Sequence, residues 1–207
     1  MHGHSSAHGT PATTGRVLHW ARWYDLAAFL MTFGREKRMR RETVQRAGVA
    51  LGQSVLDVGC GTGSLTLAAK TAAGPGSDVH GIDPAPEMID ISRKKAGRAH
   101  VDIDFQVGVI EDLPFPDATF DVVLSSLMLH HLPDDLKRRG FAEIARVLKP
   151  GGRFFAVDMA GGSSGFLGRG IARHFIHQHA DDLSALTPML TDAGFHEVTT
   201  GGRACDG

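Results

Sequence analysis

Short apolar runs alternate with longer amphipathic stretches from about residue 54 to residue 193, and that alternation sets the expected fold. Strand-like runs rich in Val, Ile and Phe fall at Ser54–Gly59, Val79–Asp83, Ile103–Val107, Phe120–Ser125 and Gly152–Asp158. Helical periodicity covers Ser64–Ala73, Pro86–Ala96, Asp134–Leu148 and Leu183–Ala193. Apolar strands separated by helices pair in parallel through right-handed crossovers, with helices on both faces of the sheet. The pattern therefore predicts an α/β fold, a three-layer αβα sandwich.

Two regions depart from the alternation. Residues 1–15, rich in Gly, Ser, Thr and His, read as a flexible tail. From 16 to 48 the pattern is helical, with Trp20, Trp23, Tyr24, Leu26 and Ala27 able to cluster and Gly34 dividing two helices. Residues 160–182 interrupt the main pattern with a Gly-Gly-Ser-Ser-Gly run and a His-rich stretch, an insertion within a domain spanning 49–207.

Composition narrows the functional classes. The chain has 207 residues, 42% hydrophobic and 22% charged, with a net charge of −1. That suits one soluble globular domain and gives no general attraction to nucleic acid or membrane. Six basic residues meet two acidic ones between Arg35 and Arg46, a run that reads as a solvated helix face. Cys60 and Cys205 provide no disulfide framework, and no apolar run is long enough to span a bilayer, so the expected location is the cytoplasm.

The chemistry concentrates in Val55-Leu-Asp-Val-Gly-Cys-Gly-Thr-Gly-Ser-Leu65. A strand-like run ends in Gly59, Gly61 and Gly63 and becomes a helix. Glycines here let the chain turn sharply and approach a ligand closely. Asp83 ends the next strand about 20 residues on, where a carboxylate can accept hydrogen bonds from ribose hydroxyls. A dinucleotide fingerprint would place Gly or Ala at position 64, where this chain has Ser64.

These residues resemble the first motif and the ribose-binding strand end of class I S-adenosylmethionine-dependent methyltransferases. Glu111-Asp-Leu-Pro-Phe-Pro-Asp117, Phe120-Asp-Val-Val, Leu129-His-His-Leu-Pro133 and Val147-Leu-Lys-Pro-Gly-Gly-Arg153 continue in that family's order. Together they are similar to the ubiquinone/menaquinone-biosynthesis branch. The resemblance implies a Rossmann-like sheet and S-adenosylmethionine as cofactor, with residues 16–48 as a cover. Gly59, Gly61 and Gly63 would pass beneath the cofactor's amino-acid portion, Asp57 would orient its ammonium, and Asp83 would bind the ribose. Pro84 and Met88 would flank the adenosine, Glu111 and Asp112 would lie on the adenine side, and Ser125 beside the methionine portion. Val109 and Ile110 stand where the family often has Asp or Asn followed by Ala, so adenine recognition shifts to main-chain groups or to Glu111 or Asp112.

The implied reaction moves a methyl group to a small apolar or aromatic acceptor, without nucleic acid as partner. His130 and His131 are the candidate catalytic bases, since histidine's intrinsic pKa suits proton removal near neutral pH. Tyr24, His174 and His177 are candidates for the acceptor pocket, and no metal site is expected. After Val198 the family completes two terminal strands; Thr199–Gly207 is a poor strand, so the final strand is expected to be missing. Two rivals follow: a protein that binds S-adenosylmethionine without transferring its methyl group, and a nicotinamide-dependent oxidoreductase.

Overall fold

A computed structural model of the chain describes residues 36–158 and 183–201. In chain order these contain α1 (Glu36–Arg46), β1 (Val55–Val58), α2 (Ser64–Ala73), β2 (Val79–Asp83), α3 (Pro86–Ala99) and β3 (Asp104–Val107). There follow β4 (Phe120–Ser126), a 3-10 turn (Leu129–His131), α4 (Asp134–Val147), β5 (Leu148–Val157) and α5 (Leu183–Asp192). The five strands form one sheet in the order β3-β2-β1-β4-β5, and every pairing is parallel.

Strand alternation divides the core between two helical layers. Leu56, Val58, Ile82 and Val123 face Phe141, Ile144 and Val147 of α4 and Leu186 and Met189 of α5. Val55, Val79, Val122 and Leu124 face the other way, against Val44 of α1, Ala47 just after it, and Leu65, Ala69 and Ala73 of α2. On α3, Ile89 and Ala96 cover Phe105 and Cys60 beside them. The three-layer αβα sandwich is as the sequence pattern predicts.

Several boundaries differ from expectation, each for a local reason. Helix α4 stops at Val147, because Leu148 is already extended (φ −74°, ψ 137°) and pairs with Phe120. Pro150 reinforces the change, since the residue before a proline is pushed out of helical geometry. Strand β5 therefore begins at Leu148 rather than Gly152 and carries a register irregularity where Phe120 gives way to Val122. Helix α3 runs on to Ala99 through Gly97 and ends at His100, which takes the left-handed conformation at φ 52°. Among the described residues no strand follows α5. The tail, the first part of the 16–48 region and the 160–182 insertion lie outside the described residues.

Helix α4 contains a glycine with a packing reason. A Cβ at Gly140 would come within 2.6 Å of Ile110, which is itself buried. Gly140→Ala should therefore destabilise the fold by about 1–3 kcal/mol, even though alanine is intrinsically the better helix former. In a double-mutant cycle with Ile110→Ala, urea denaturation should show a combined loss well below the sum of the single losses. Additive losses would mean that the two side chains do not compete for one space.

Candidate active site

The sheet runs outward from β1 to β2 and β3, then returns to the other side of β1 with β4 and β5. Chain connections leave the carboxyl ends of β1 and β4 in opposite directions, which opens a crevice at this reversal of strand order. The glycine turn, Asp57, Asp83, Ser125 and the His130–His131 turn all lie on or just after the strands that end there.

The three glycines share a backbone conformation but not a reason for it. Gly59, Gly61 and Gly63 have φ of 72°, 53° and 79°, values that strain any residue with a side chain. A Cβ on Gly59 would meet Met128 at 2.6 Å, and one on Gly63 would meet Ser92 at 2.8 Å and Phe105 at 2.9 Å. A Cβ on Gly61 would meet nothing within 4 Å. The outer glycines thus allow close packing, while Gly61 presents bare backbone to open space.

Asp83 holds this turn in place. Its Oδ2 accepts the Gly61 amide and its Oδ1 accepts the Ala85 amide, both at 2.9 Å. Each oxygen keeps a further lone pair, so a bound hydroxyl need not displace either amide. On the opposite side of the turn, Lys95 donates to Thr62 Oγ1 at 2.8 Å and Ser64 Oγ at 3.2 Å.

Asp57 is buried beneath the turn and accepts a hydrogen bond from Thr66 Oγ1 at 2.7 Å. Burial pushes its carboxyl up from 3.8 to about 6; the Thr66 hydrogen bond and the Arg40 charge oppose the rise, and the Asp83 charge adds to it. Burial likewise raises Asp83, against the pull of its two amide donors. Two carboxyls that resist ionisation side by side form a place where an added positive charge is favourable. Cys60 shares this environment, and burial drives its thiol well above the ordinary range, so the side chain is a packing group rather than a nucleophile.

Arg40 corrects the reading of the basic run as purely solvated. Helix α1 turns this side chain inward, and Nη1 donates to Ser126 Oγ at 2.8 Å at the end of β4. The sequence signal was a single arginine within a charged helix, which periodicity alone does not separate from its neighbours. Beside it on β4, Ser125 is buried next to Val58, and its Oγ has no hydrogen-bond partner among the described residues.

The adenine-side segment is shaped by packing. Ile110 fills the core against Gly140, while Val109 bridges to Asp112. Glu111 is half-buried and Asp112 exposed. Arg146 anchors the following loop by donating to Leu113 O at 3.0 Å and to Phe115 O at 2.8 Å, and Glu143 accepts the Leu113 amide at 2.9 Å. Pro84 is half-buried at the end of β2. Met88 is only 3% exposed and packs with Ala85 and Ile91, so most of its surface is already covered by protein.

His130 and His131 lie in the 3-10 turn after β4, with ring centroids 3.9 Å apart. Sequence reasoning missed the partner of the first. Asp158, at the end of β5, sits 2.5 Å from His130 Nδ1 and also accepts the His130 backbone N–H at 3.0 Å. Parallel pairing of Ser126 with Val157 brings the two loops together, a register visible only once the sheet is assembled. Tyr24, His174 and His177 fall outside the described residues. Among the described residues no group of three or more His, Cys, Asp or Glu could hold a metal ion, and no helix is long and apolar enough to cross a membrane.

A family model described as a methyltransferase domain matches residues 55–152, which span the glycine turn, both acidic strand ends and the histidine turn. The demethylmenaquinone methyltransferase of Deinococcus radiodurans is 34% identical over 154 residues, 74% of this chain and 63% of that protein. The chain belongs to the class I S-adenosylmethionine-dependent methyltransferases. A demethylmenaquinone methyltransferase from Thermus thermophilus is 38% identical over 135 residues, covering 65% of this chain and 60% of its own. The chain thus spans about three fifths of the length of these relatives.

Solved structures show the same family fold. A SAM-dependent methyltransferase from Aquifex aeolicus superposes with a TM-score of 0.62 at 22% identity, over 75% of this chain and 78% of that one. The [4+2]-cyclase SpnF gives 0.61 at 25% identity, over 76% and 56%.

The Asp57 environment has a direct consequence for stability. Its folded carboxyl titrates near 6 and its unfolded one near 3.8, so between these values the folded state holds a proton that the unfolded state has released. Stability contributed by this group therefore falls as pH rises from 4 through 6, by at most about 3 kcal/mol. Asp57→Asn removes that penalty. In urea unfolding of the ligand-free protein, the variant should gain on wild type as pH rises from 4.5 to 7. An unchanged difference between the two proteins would contradict the assignment.

Proposed function

We propose that the chain is an S-adenosylmethionine-dependent methyltransferase acting on a small apolar or aromatic acceptor, with quinone-type compounds the favoured class. The observation that carries the cofactor is the pairing of bare Gly61 backbone with the buried carboxyl of Asp57 and the half-buried one of Asp83. A ligand bearing an ammonium, a sulfonium and a ribose matches what that place lacks: positive charge near Asp57 and hydroxyl donors near Asp83. Ser125 Oγ, without a hydrogen-bond partner among the described residues, gives a further hydrogen-bonding position on the methionine side. A nicotinamide dinucleotide would bring pyrophosphate charge toward the same carboxylates, which argues against the oxidoreductase alternative.

When bound, the cofactor supplies a methyl group already activated by its attachment to positively charged sulfur. The protein's task is then to align an acceptor and exclude water. Asp57 and Arg40 would meet the ammonium and carboxylate ends of the amino-acid portion, and Asp83 the ribose. Glu111, Asp112 and neighbouring main chain would contact the adenine, with Pro84 and the exposed margin of Met88 flanking the ring. His130 and His131 lie after β4, on the side assigned to the acceptor. The acceptor-pocket roles of Tyr24, His174 and His177 belong to the same proposal. Support for a quinone-type acceptor comes from the relatives' names, and the catalytic histidine turn favours transfer over cofactor binding alone.

Titration calorimetry of the full chain with S-adenosylmethionine and S-adenosylhomocysteine tests the proposal, and no binding of either would reject it. Because Asp57 must be ionised to receive an ammonium, affinity should be roughly tenfold weaker at pH 5 than at pH 7. Replacing Asp83 with Ala should weaken binding by about 10- to 100-fold through lost hydrogen bonds to a charged group. Binding without transfer to reduced short-chain demethylmenaquinone or other aromatic acceptors would favour the non-transferring alternative.

A further inference from the structure

We propose that the outer face formed by α1, α2 and α3 docks on an anionic membrane surface. The inference goes beyond the methyl-transfer reading, because it stands on the charge of the outer surface rather than on the crevice. A net charge of −1 conceals a segregation of charge between the two helical layers. Lys37, Arg38, Arg41 and Arg46 are exposed on α1, and Lys94 and Arg98 on α3. Against them Asp90 is exposed, while Glu42 and Glu87 are half-buried. On the opposite layer the balance reverses: Asp112 and Asp117 before β4, Asp134 and Asp135 of α4 and Asp192 of α5 are exposed. The exposed bases there, Arg138 and Arg139, pair with Asp192 at 3.3 Å and Asp135 at 3.5 Å. Lys37, Arg41, Arg46, Lys94 and Arg98 form no ion pair among the described residues.

The three helices lie on one side of the sheet. Val79 packs with α1 and α2, and Gly81, two residues on along β2, points the same way. Gly81 pairs with Phe105, the residue that α3 covers, so α3 lies beside the other two. Half-buried Leu67 of α2 packs against the α3 cluster, and α2 thus adjoins both neighbours. The outward positions of α2, Ala68, Thr71 and Ala72, are small and uncharged. Two basic helices therefore accompany a neutral one that contributes no acid.

Positive charge calls for a phosphate-rich partner, and the exposed apolar residues decide which one. Among the described residues the exposed large apolar side chains are Met39, 46% exposed, and Leu51, 81% exposed. Met39 stands on α1 next to Arg38. Leu51 reaches the carboxyl end of α2, where a Cβ on Gly74 would come within 3.1 Å of it. Both therefore belong to the basic layer. A bilayer offers anionic headgroups with hydrocarbon directly beneath them, which suits cations interspersed with apolar side chains. Nucleic acid offers the phosphates without that apolar phase. Near its amino end α1 also places Arg40 Nη1 2.8 Å from Ser126 Oγ at the end of β4, so the docked helix borders the crevice. An apolar acceptor dissolved in the bilayer then has a short path to the cofactor.

The test is flotation of the full chain with two kinds of vesicle, phosphatidylcholine alone and phosphatidylcholine mixed with about one third phosphatidylglycerol. The chain should float with the anionic vesicles and not with the zwitterionic ones. Raising salt from about 0.05 M to about 0.5 M should release it. At roughly fivefold for each base removed, the α1 variant Lys37→Gln/Arg41→Gln/Arg46→Gln should bind about 100-fold more weakly, and the α3 variant Lys94→Gln/Arg98→Gln at least about tenfold. Leu51→Ser should lower the affinity about tenfold. Arg138→Gln/Arg139→Gln, on the opposite layer, should bind as wild type. All the substituted side chains are exposed, and matching urea midpoints confirm that the variants fold.

Equal flotation with both vesicle types, or none, overturns the proposal. So does anionic binding that the α1 and α3 variants retain. Tighter binding to an RNA or DNA oligonucleotide than to anionic vesicles, lost in the same variants, overturns the choice of lipid. Salt-sensitive self-association without flotation assigns the face to a second copy and also overturns it. Titration with S-adenosylhomocysteine separates this inference from the methyl-transfer reading: cofactor binding without flotation removes only the docking surface, and flotation without cofactor binding removes only the reaction.

Discussion

The site depends on one electrostatic constraint: a buried carboxyl, Asp57, and a half-buried one, Asp83, are held against one glycine turn. Asp57 and Asp83 come from adjacent strands, and among the described residues neither forms an ion pair that would satisfy its charge outright. Arg40 offsets part of the burden from across the crevice, and the Gly61 and Ala85 amides offset another part. What remains is an unmet preference for positive charge. A fold selected only for stability would replace such groups, because burying carboxylates costs free energy in the ligand-free state. Their retention is coherent if a cationic ligand completes the site.

The sheet was legible in the sequence because the central strands β1 and β4 are buried along most of their length and each helix lies between turn residues. All five strands and the four helices predicted beyond residue 49 are present, and the errors lie at their ends. Those ends are decided by interactions that periodicity does not carry. Leu148 is apolar enough for either element, and it leaves the helix because Phe120 offers a strand partner and Pro150 disfavours continued helix. The helix expected to end at Ala96 runs on through Gly97, where nothing crowds the chain.

The cofactor half of the site was legible for a different reason: its residues are close in sequence and carry unusual backbone requirements. Three glycines spaced by two, with an acid at the next strand end, leave few structural alternatives. Arg40 and Asp158 were not legible, since each acts across the crevice from a distant segment. An arginine pointing inward has the same helical periodicity as its exposed neighbours Lys37, Arg38 and Arg41. Asp158 becomes meaningful only through the β4–β5 register, which sets it against a histidine 28 residues earlier. The departure at Val109–Ile110, which looked like a gap in ligand recognition, is in part a packing choice: Ile110 fills space that Gly140 leaves open.

Fold alone does not assign the chemistry carried out beside the cofactor. The similarity to SpnF, a cyclase by its name, is close to that of the Aquifex aeolicus methyltransferase, so superposition cannot separate the two activities. The distinction has to come from groups facing the acceptor. An activated methyl group asks little of a protein beyond alignment when the acceptor is already a nucleophile, and a held histidine would then have no task. Here a nearly buried carboxylate meets the His130 imidazole through one oxygen and the His130 backbone N–H through the other, just after β4. On the methyl-transfer reading proposed above, a histidine held in this way has a use where the acceptor arrives protonated.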